Sequence, residues 1–126
     1  MKVRTFDQLD GHVLANMKLY LHKMGIRPKT RADTIKQVKR HFSGWVWGDT
    51  IYVKIVPSRR EVLDTFVHEF THWKRKQLGL YRYKTPRQKL REEFLATWTA
   101  AKATGRNPNP RRMLARVNRK YSLRVL

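Results

Sequence analysis

The chain has 126 residues, with 29 Lys or Arg against 9 Asp or Glu, a net charge of +20, and no cysteine. That length suits a single domain spanning 1–126; the missing cysteines exclude disulfide staples, thiolate zinc fingers and a cysteine nucleophile, and 5 Phe, 5 Tyr and 4 Trp are too many aromatic anchors for a disordered basic tail. No apolar run reaches the roughly 20 residues of a membrane span, and Met1–Asp7 has no apolar signal region, so we expect a cytoplasmic or nucleic-acid-associated protein with no membrane span.

The first expected element is a helix over 7–24. Leu9, Val13, Met17, Tyr20 and Leu21 recur near a 3.6 period, with Asp7 as N-cap and Gly25 as stop. A basic loop, Arg27 to Arg31, follows. Two or three strands come next. Ile35, Val38 and His41-Phe42 alternate loosely, Trp45-Val46-Trp47 has better β character, and Gly48-Asp49 turns the chain into Thr50–Val56. Gly44 is the turn of an earlier hairpin if the strands number three.

A second helix begins at Ser58-Arg59-Arg60-Glu61, a capping-box pattern. Leu63, Phe66, Val67, Phe70 and Trp73 give it an apolar stripe, Lys74-Arg75-Lys76 suits its negative end, and Gly79 ends it. Another helix starts at Thr85 with Pro86 at its first position and runs to about Thr104. After Asn107-Pro108-Asn109-Pro110, Asn109 caps a short last helix. The extension over about 106–126 is basic, with Arg106, Arg111, Arg112, Arg116, Arg119, Lys120 and Arg124 and no acidic residue. The fold class expected is α+β.

The Ser58 helix contains His68-Glu69-Phe70-Thr71-His72. Residues four apart share a helical face, so both imidazoles can meet one ion, and Glu69 stands beside it where it can act on a metal-activated water. A catalytic zinc site takes three protein ligands. No histidine follows His72, while His12, His22 and His41 lie on other elements. The only later carboxylates are Glu92 and Glu93. We prefer Glu93, because Ala96, Thr97 and Ala100 on its face are small enough to let two helices approach. Glu92, beside Leu95 and Thr99, remains the alternative.

His68-Glu69-Phe70-Thr71-His72 followed by Glu93-Phe94-Leu95-Ala96 resembles a minimal single-domain gluzincin metallopeptidase. The pattern is similar to the minigluzincins and to the small phage-repressor-cleaving zincins, and it covers about 45–104. The resemblance implies a zincin-like fold: an N-terminal helix, a small two- or three-stranded sheet, an active-site helix, an antiparallel glutamate helix and a short basic C-terminal helix. It implies one zinc per chain on His68, His72 and Glu93, and hydrolysis of a peptide or protein substrate with Glu69 as general base. An edge strand at Thr50–Val56 would hold the substrate extended, and Tyr81, Tyr83 or His41 would stabilise the transition state.

The charge supports a further expectation. A +20 chain attracts polyanions, and Arg106, Arg111, Arg112, Arg116, Arg119 and Lys120, with a second patch over 27–39, are the residues that would meet nucleic acid. The peptidase would then act on nucleic-acid-associated proteins. The alternative is a basic nucleic-acid-binding or packaging protein of metallopeptidase-like fold with little or no turnover. Trp45, Trp47 and Tyr52 could stack on bases. Met113, Leu114, Val117, Tyr121, Leu123, Val125 and Leu126 could lie on an anionic membrane or pack back over the core.

Overall fold

The structure, a computed structural model, describes residues 1–126. It is α+β, with five α-helices and one three-stranded mixed sheet. The chain forms two compact units, Met1–Pro57 and Ser58–Leu126.

The first unit contains β1 (Lys2–Thr5), a 3-10 turn at Phe6–Gln8, α1 (Gly11–Lys23), α2 (Arg31–His41), β2 (Gly44–Trp47) and β3 (Thr50–Val53). The first helix starts later than its apolar period suggests. Asp10 is its cap, accepting from the backbone N–H groups of His12 at 3.0 Å and Val13 at 3.1 Å, while Asp7 pairs with Lys39 at 2.9 Å. The segment expected as a first strand is α2. Thr30 caps it by accepting from Asp33 N at 3.0 Å, and Thr34 and Val38, four apart, are its buried residues.

Gly44 is the first residue of β2 rather than the turn of an earlier hairpin. The two-residue loop Gly48-Asp49 joins β2 to β3, with Trp47 opposite Thr50. Gly48 has φ of +58° and Asp49 does not have positive φ, the pattern of a II′ turn whose twist matches the flanking strands.

The sheet order is β1-β3-β2, with β1 parallel and β2 antiparallel to β3. Thr50–Val53 is therefore the central strand, hydrogen-bonded on both sides, and not the edge expected to receive a substrate. The edges are Lys2–Thr5 and Gly44–Trp47. Ile51, Tyr52 and Val53 are buried accordingly. Phe6, Leu9, Val13, Leu14, Met17, Leu21, Val38 and Tyr52 form one apolar core, each large side chain contributing about 1.5–3 kcal/mol by leaving water. Trp45 packs edge-on against Tyr20 and Phe42 and donates to Asn16 Oδ1 at 3.2 Å. Of the three aromatics expected to be open to bases, only Trp47 is exposed.

The second unit contains α3 (Arg59–Gln77), α4 (Pro86–Ala103) and α5 (Pro110–Lys120). Its core is Leu90, Ala101, Met113 and Val117, with Phe94, Trp98, Leu114, Tyr121, Leu123 and Val125 packed around them. The apolar residues of the C-terminal segment thus fold back onto α4, and Asn118 Oδ1 fixes the turn by accepting from Val125 N at 2.9 Å. Every helix of this unit is capped as its sequence suggests, by Ser58, Thr85 and Asn109. At Ser58 only the hydroxyl half of the expected box forms, from Glu61 N; the reciprocal box forms at Thr85 with Gln88. No helix is long and apolar enough to cross a membrane.

Candidate metal centre

Two helices bring the donors together. On α3, His68 and His72 stand one turn apart on the same face. On α4, Thr97 reaches His68, Glu93 reaches His68 and His72, and Glu92 reaches Arg75. Rising numbers on α3 meet falling numbers on α4, so the helices are antiparallel. Ala96 and Ala100 are fully buried on α4; such small side chains let the backbones approach.

His68 Nε2 lies 3.0 Å from Glu93 Oε2, His72 Nε2 lies 3.2 Å from Glu93 Oε1, and the two Nε2 atoms are 3.1 Å apart. One donor atom from each of the three residues falls within 4.8 Å of the others. Zinc with N and O ligands at about 2.05 Å in tetrahedral array separates its ligands by about 3.3 Å. The three spacings sit close to that, so a group of two imidazoles and a carboxylate fits the ion expected from the motif.

The surroundings hold the carboxylate. Tyr83 donates its phenolic hydrogen to Glu93 Oε1 at 2.9 Å. Tyr121, just past α5, also hydrogen-bonds Glu93. Burial, the negative charge of Glu93 and the hydrogen bond to it all raise the Tyr83 phenol, and burial followed by the same two influences raises Tyr121. Both phenols therefore stay protonated donors. For Glu93, burial opposes ionisation, but hydrogen bonds from His68 and His72 and their charges outweigh it and hold the carboxyl well below its usual range.

The imidazoles are less firmly held. Metal-ligating histidines ordinarily donate their second ring N–H to a fixed acceptor. His68 Nδ1 has Thr97 Oγ1 at 3.5 Å, a weak contact, and His72 Nδ1 is buried with no hydrogen-bond partner. Tyr81 presents its ring to the edge of His72 and stacks on Tyr83 at 5.4 Å.

Glu69, one residue past His68, has a carboxyl pushed up to about 7. Burial is the main cause and the charge of Glu93 adds to it, while His68, Lys76 and Lys120 pull the other way. A carboxylate that titrates near neutrality can both take and return a proton at physiological pH.

Of the residues singled out from the sequence, His68, His72 and Glu93 converge, with Glu69 beside them. Glu92 belongs to a different pair: Arg75 donates to it twice, at 2.7 and 2.9 Å, and Arg82 N donates at 3.3 Å. This assigns the two glutamates separate tasks, Glu93 in the cluster and Glu92 in a buried ion pair joining α3 to α4. Tyr81 and Tyr83 belong to the cluster's wall, whereas His41 ends α2 in the first unit. Thr97 was read only as a small residue on the Glu93 face and Tyr121 only as an apolar residue of the last segment, and neither was expected to reach the cluster. Arg75 was, but as one cation of a helix-end run; its position three residues from His72 places it on the same helical face. Arg106 pairs with Asp64, and Arg111, Arg112, Arg116, Arg119 and Lys120 are exposed. Compared with protein-family models, curated proteins and solved structures, the chain matches none.

Proposed function

We propose that this protein is a zinc-dependent peptidase in which His68, His72 and Glu93 hold the metal and Glu69 is the general base. The observation that carries the reading is the convergence of two Nε2 atoms and both Glu93 oxygens at 3.0–3.2 Å, on the two helices and in the residue order that the gluzincin resemblance implies. When bound, zinc would act as a Lewis acid on the scissile carbonyl and make water a stronger nucleophile.

The remaining work falls to side chains. Glu69 accepts the proton of the attacking water and delivers it to the leaving amine; its near-neutral titration supports both transfers. Tyr83 has its hydroxyl on Glu93, which favours holding the ligand over stabilising an oxyanion. Tyr81 packs its ring against the His72 imidazole beside the cluster.

The test combines metal content and turnover. Elemental analysis should give about one zinc per chain in wild type and Glu92→Ala, and none in Glu93→Ala. Glu69→Gln should keep zinc and lose cleavage of a quenched-fluorescent peptide library. Zinc-loaded wild type that cleaves no member of the library, or cleavage unaffected by Glu69→Gln, would leave a metal-binding protein without this chemistry.

A further inference from the structure

We propose that the outward face of α5 is a docking surface for the phosphate backbone of a nucleic-acid duplex. The helix is capped by Asn109 and started by Pro110. It seats Met113 and Val117 in the core against α4, with Leu114 and Tyr121 half-buried beside them. That fixes which side faces outward. The exposed positions of α5 beyond its first residue are Arg111, Arg112, Ala115, Arg116, Arg119 and Lys120, so five of these six are cations.

None of the five takes part in an ion pair, and no acidic residue occurs after Glu93. Arg106, by contrast, is taken up by Asp64 and Thr104 and does not belong to the face. Arg112, Arg116 and Arg119 form a stripe at i, i+4 and i+7, spanning about 10 Å at the rise of an α-helix. A duplex carries one phosphate per roughly 1.7 Å of its axis, so a stripe of that length faces several phosphates at once.

The choice of partner follows from what the face lacks. A helix that lies on a membrane needs a free apolar side, and the apolar side of α5 is already buried. A protein partner needs an apolar or aromatic anchor at the centre of the interface, and the face offers only Ala115. Single strands bind by base stacking on exposed aromatics, and the face has none. What remains is a rigid, unneutralised row of guanidinium groups, which suits sequence-independent contact with a duplex backbone. Arg112, Arg116 and Arg119 are not among the residues that act on the cluster, so failure of this stripe would leave the peptidase reading untouched, whereas the charge of Lys120 reaches Glu69 and that residue is left out of the tested variant.

The experiment is fluorescence anisotropy of a 20-base-pair DNA duplex titrated with the full-length protein across NaCl concentrations. The variants are Arg112→Gln/Arg116→Gln/Arg119→Gln and, as an equal-charge control, Arg27→Gln/Lys29→Gln/Arg31→Gln at the start of α2 and in the loop before it. All six residues are exposed, and circular dichroism melts verify folding. The α5 variant is expected to lower the slope of log affinity against log salt by about 2 to 3 and to weaken binding at least tenfold more than the control. Equal losses in both variants would overturn the assignment to α5. Tighter binding of a single strand of the same length would overturn the duplex, and so would binding of phosphatidylserine vesicles without binding of DNA.

Discussion

The Tyr83 hydroxyl donates to Glu93 Oε1 at 2.9 Å, from a loop between the two helices that carry the cluster. The bond holds one oxygen of the third ligand in place while the other faces His68. Tyr83→Phe removes the hydroxyl and keeps the ring that stacks on Tyr81. We expect it to fold as wild type and to weaken zinc binding by about 10- to 100-fold, the usual effect of losing a hydrogen bond to a metal ligand. Competition with a chromophoric chelator measures this; an unchanged affinity would show that the phenol does not position the carboxylate.

Mutation is expected to separate the role of Glu69 from that of His68, His72 and Glu93. Glu69→Gln preserves size and leaves His68, His72 and Glu93 in place. Zinc content should stay at wild-type level while peptide hydrolysis falls by about 10²- to 10⁴-fold, the range supplied by a positioned proton acceptor. His72→Ala should lose both zinc and the increase in melting temperature that added zinc gives the wild type.

Glu92 ties α3 to α4 through Arg75 and caps the Arg82 backbone N–H. Its removal leaves the Arg75 guanidinium without its bidentate partner and strips an acceptor from Arg82 N. Only the carboxylate of this pair is fully buried, so its loss costs about 1–3 kcal/mol, and Glu92→Ala should lower the melting temperature by on the order of 5 °C while retaining zinc. Zinc loss in a variant that still folds would return Glu92 to the ligand set.

The same carboxylates set the response of the metal-free protein to acid. Glu92 is buried, which disfavours ionisation, but hydrogen bonds from Arg75 and Arg82 and the charge of Arg75 hold it below its ordinary value of 4.5. Glu93 is lowered by His68 and His72. A carboxyl whose folded value is depressed stabilises the fold above its unfolded value, and that contribution is lost as pH falls through the folded one. Urea midpoints should therefore fall below about pH 4.5, and Glu92→Gln should flatten the fall. A midpoint that is level between pH 6 and 3 would contradict the ion-pair assignment.

Zinc should leave on acidification for a separate reason. Imidazole binds metal only when deprotonated, so protons compete at His68 and His72. Zinc content after dialysis at pH 7.5 and at pH 5 checks this, and equal retention would point to a site without histidine ligands.

Helices of the second unit were legible because each carries its own punctuation. Ser58, Thr85-Pro86 and Asn109-Pro110 mark starts, and Gly79 and Gly105, both with positive φ, mark ends. The His68, His72 and Glu93 cluster was legible because helical spacing alone puts His68 over His72, and because two acidic residues follow them. The first unit was read less well. Residues 31–41 look β-like for their Ile, Val and Thr content, and the helix is carried by the Thr30 cap and the burial of Thr34 with Val38. The strand Lys2–Thr5 alternates basic and β-branched residues but is only four residues long, and its partner lies 48 residues on, Lys2 opposite Thr50. The edge role expected for Thr50–Val56 came from the gluzincin resemblance, and the pairing of β1 with β3 overturns it. Tyr121 is a similar case: only the docking of α5 on α4 brings it to Glu93.

The make-up of the cluster also decides which ions it can admit. Two imidazoles and one carboxylate are borderline donors, and Ca²⁺ and Mg²⁺ require shells built from oxygen, six or more for calcium. Only one of the three residues offers oxygen, so the cluster supplies too few oxygen donors for the shell that calcium needs. Co²⁺ and Zn²⁺ suit both the donor types and the spacing. Cobalt would therefore be an informative substitute: its visible spectrum reports tetrahedral coordination directly, in a site where zinc is silent.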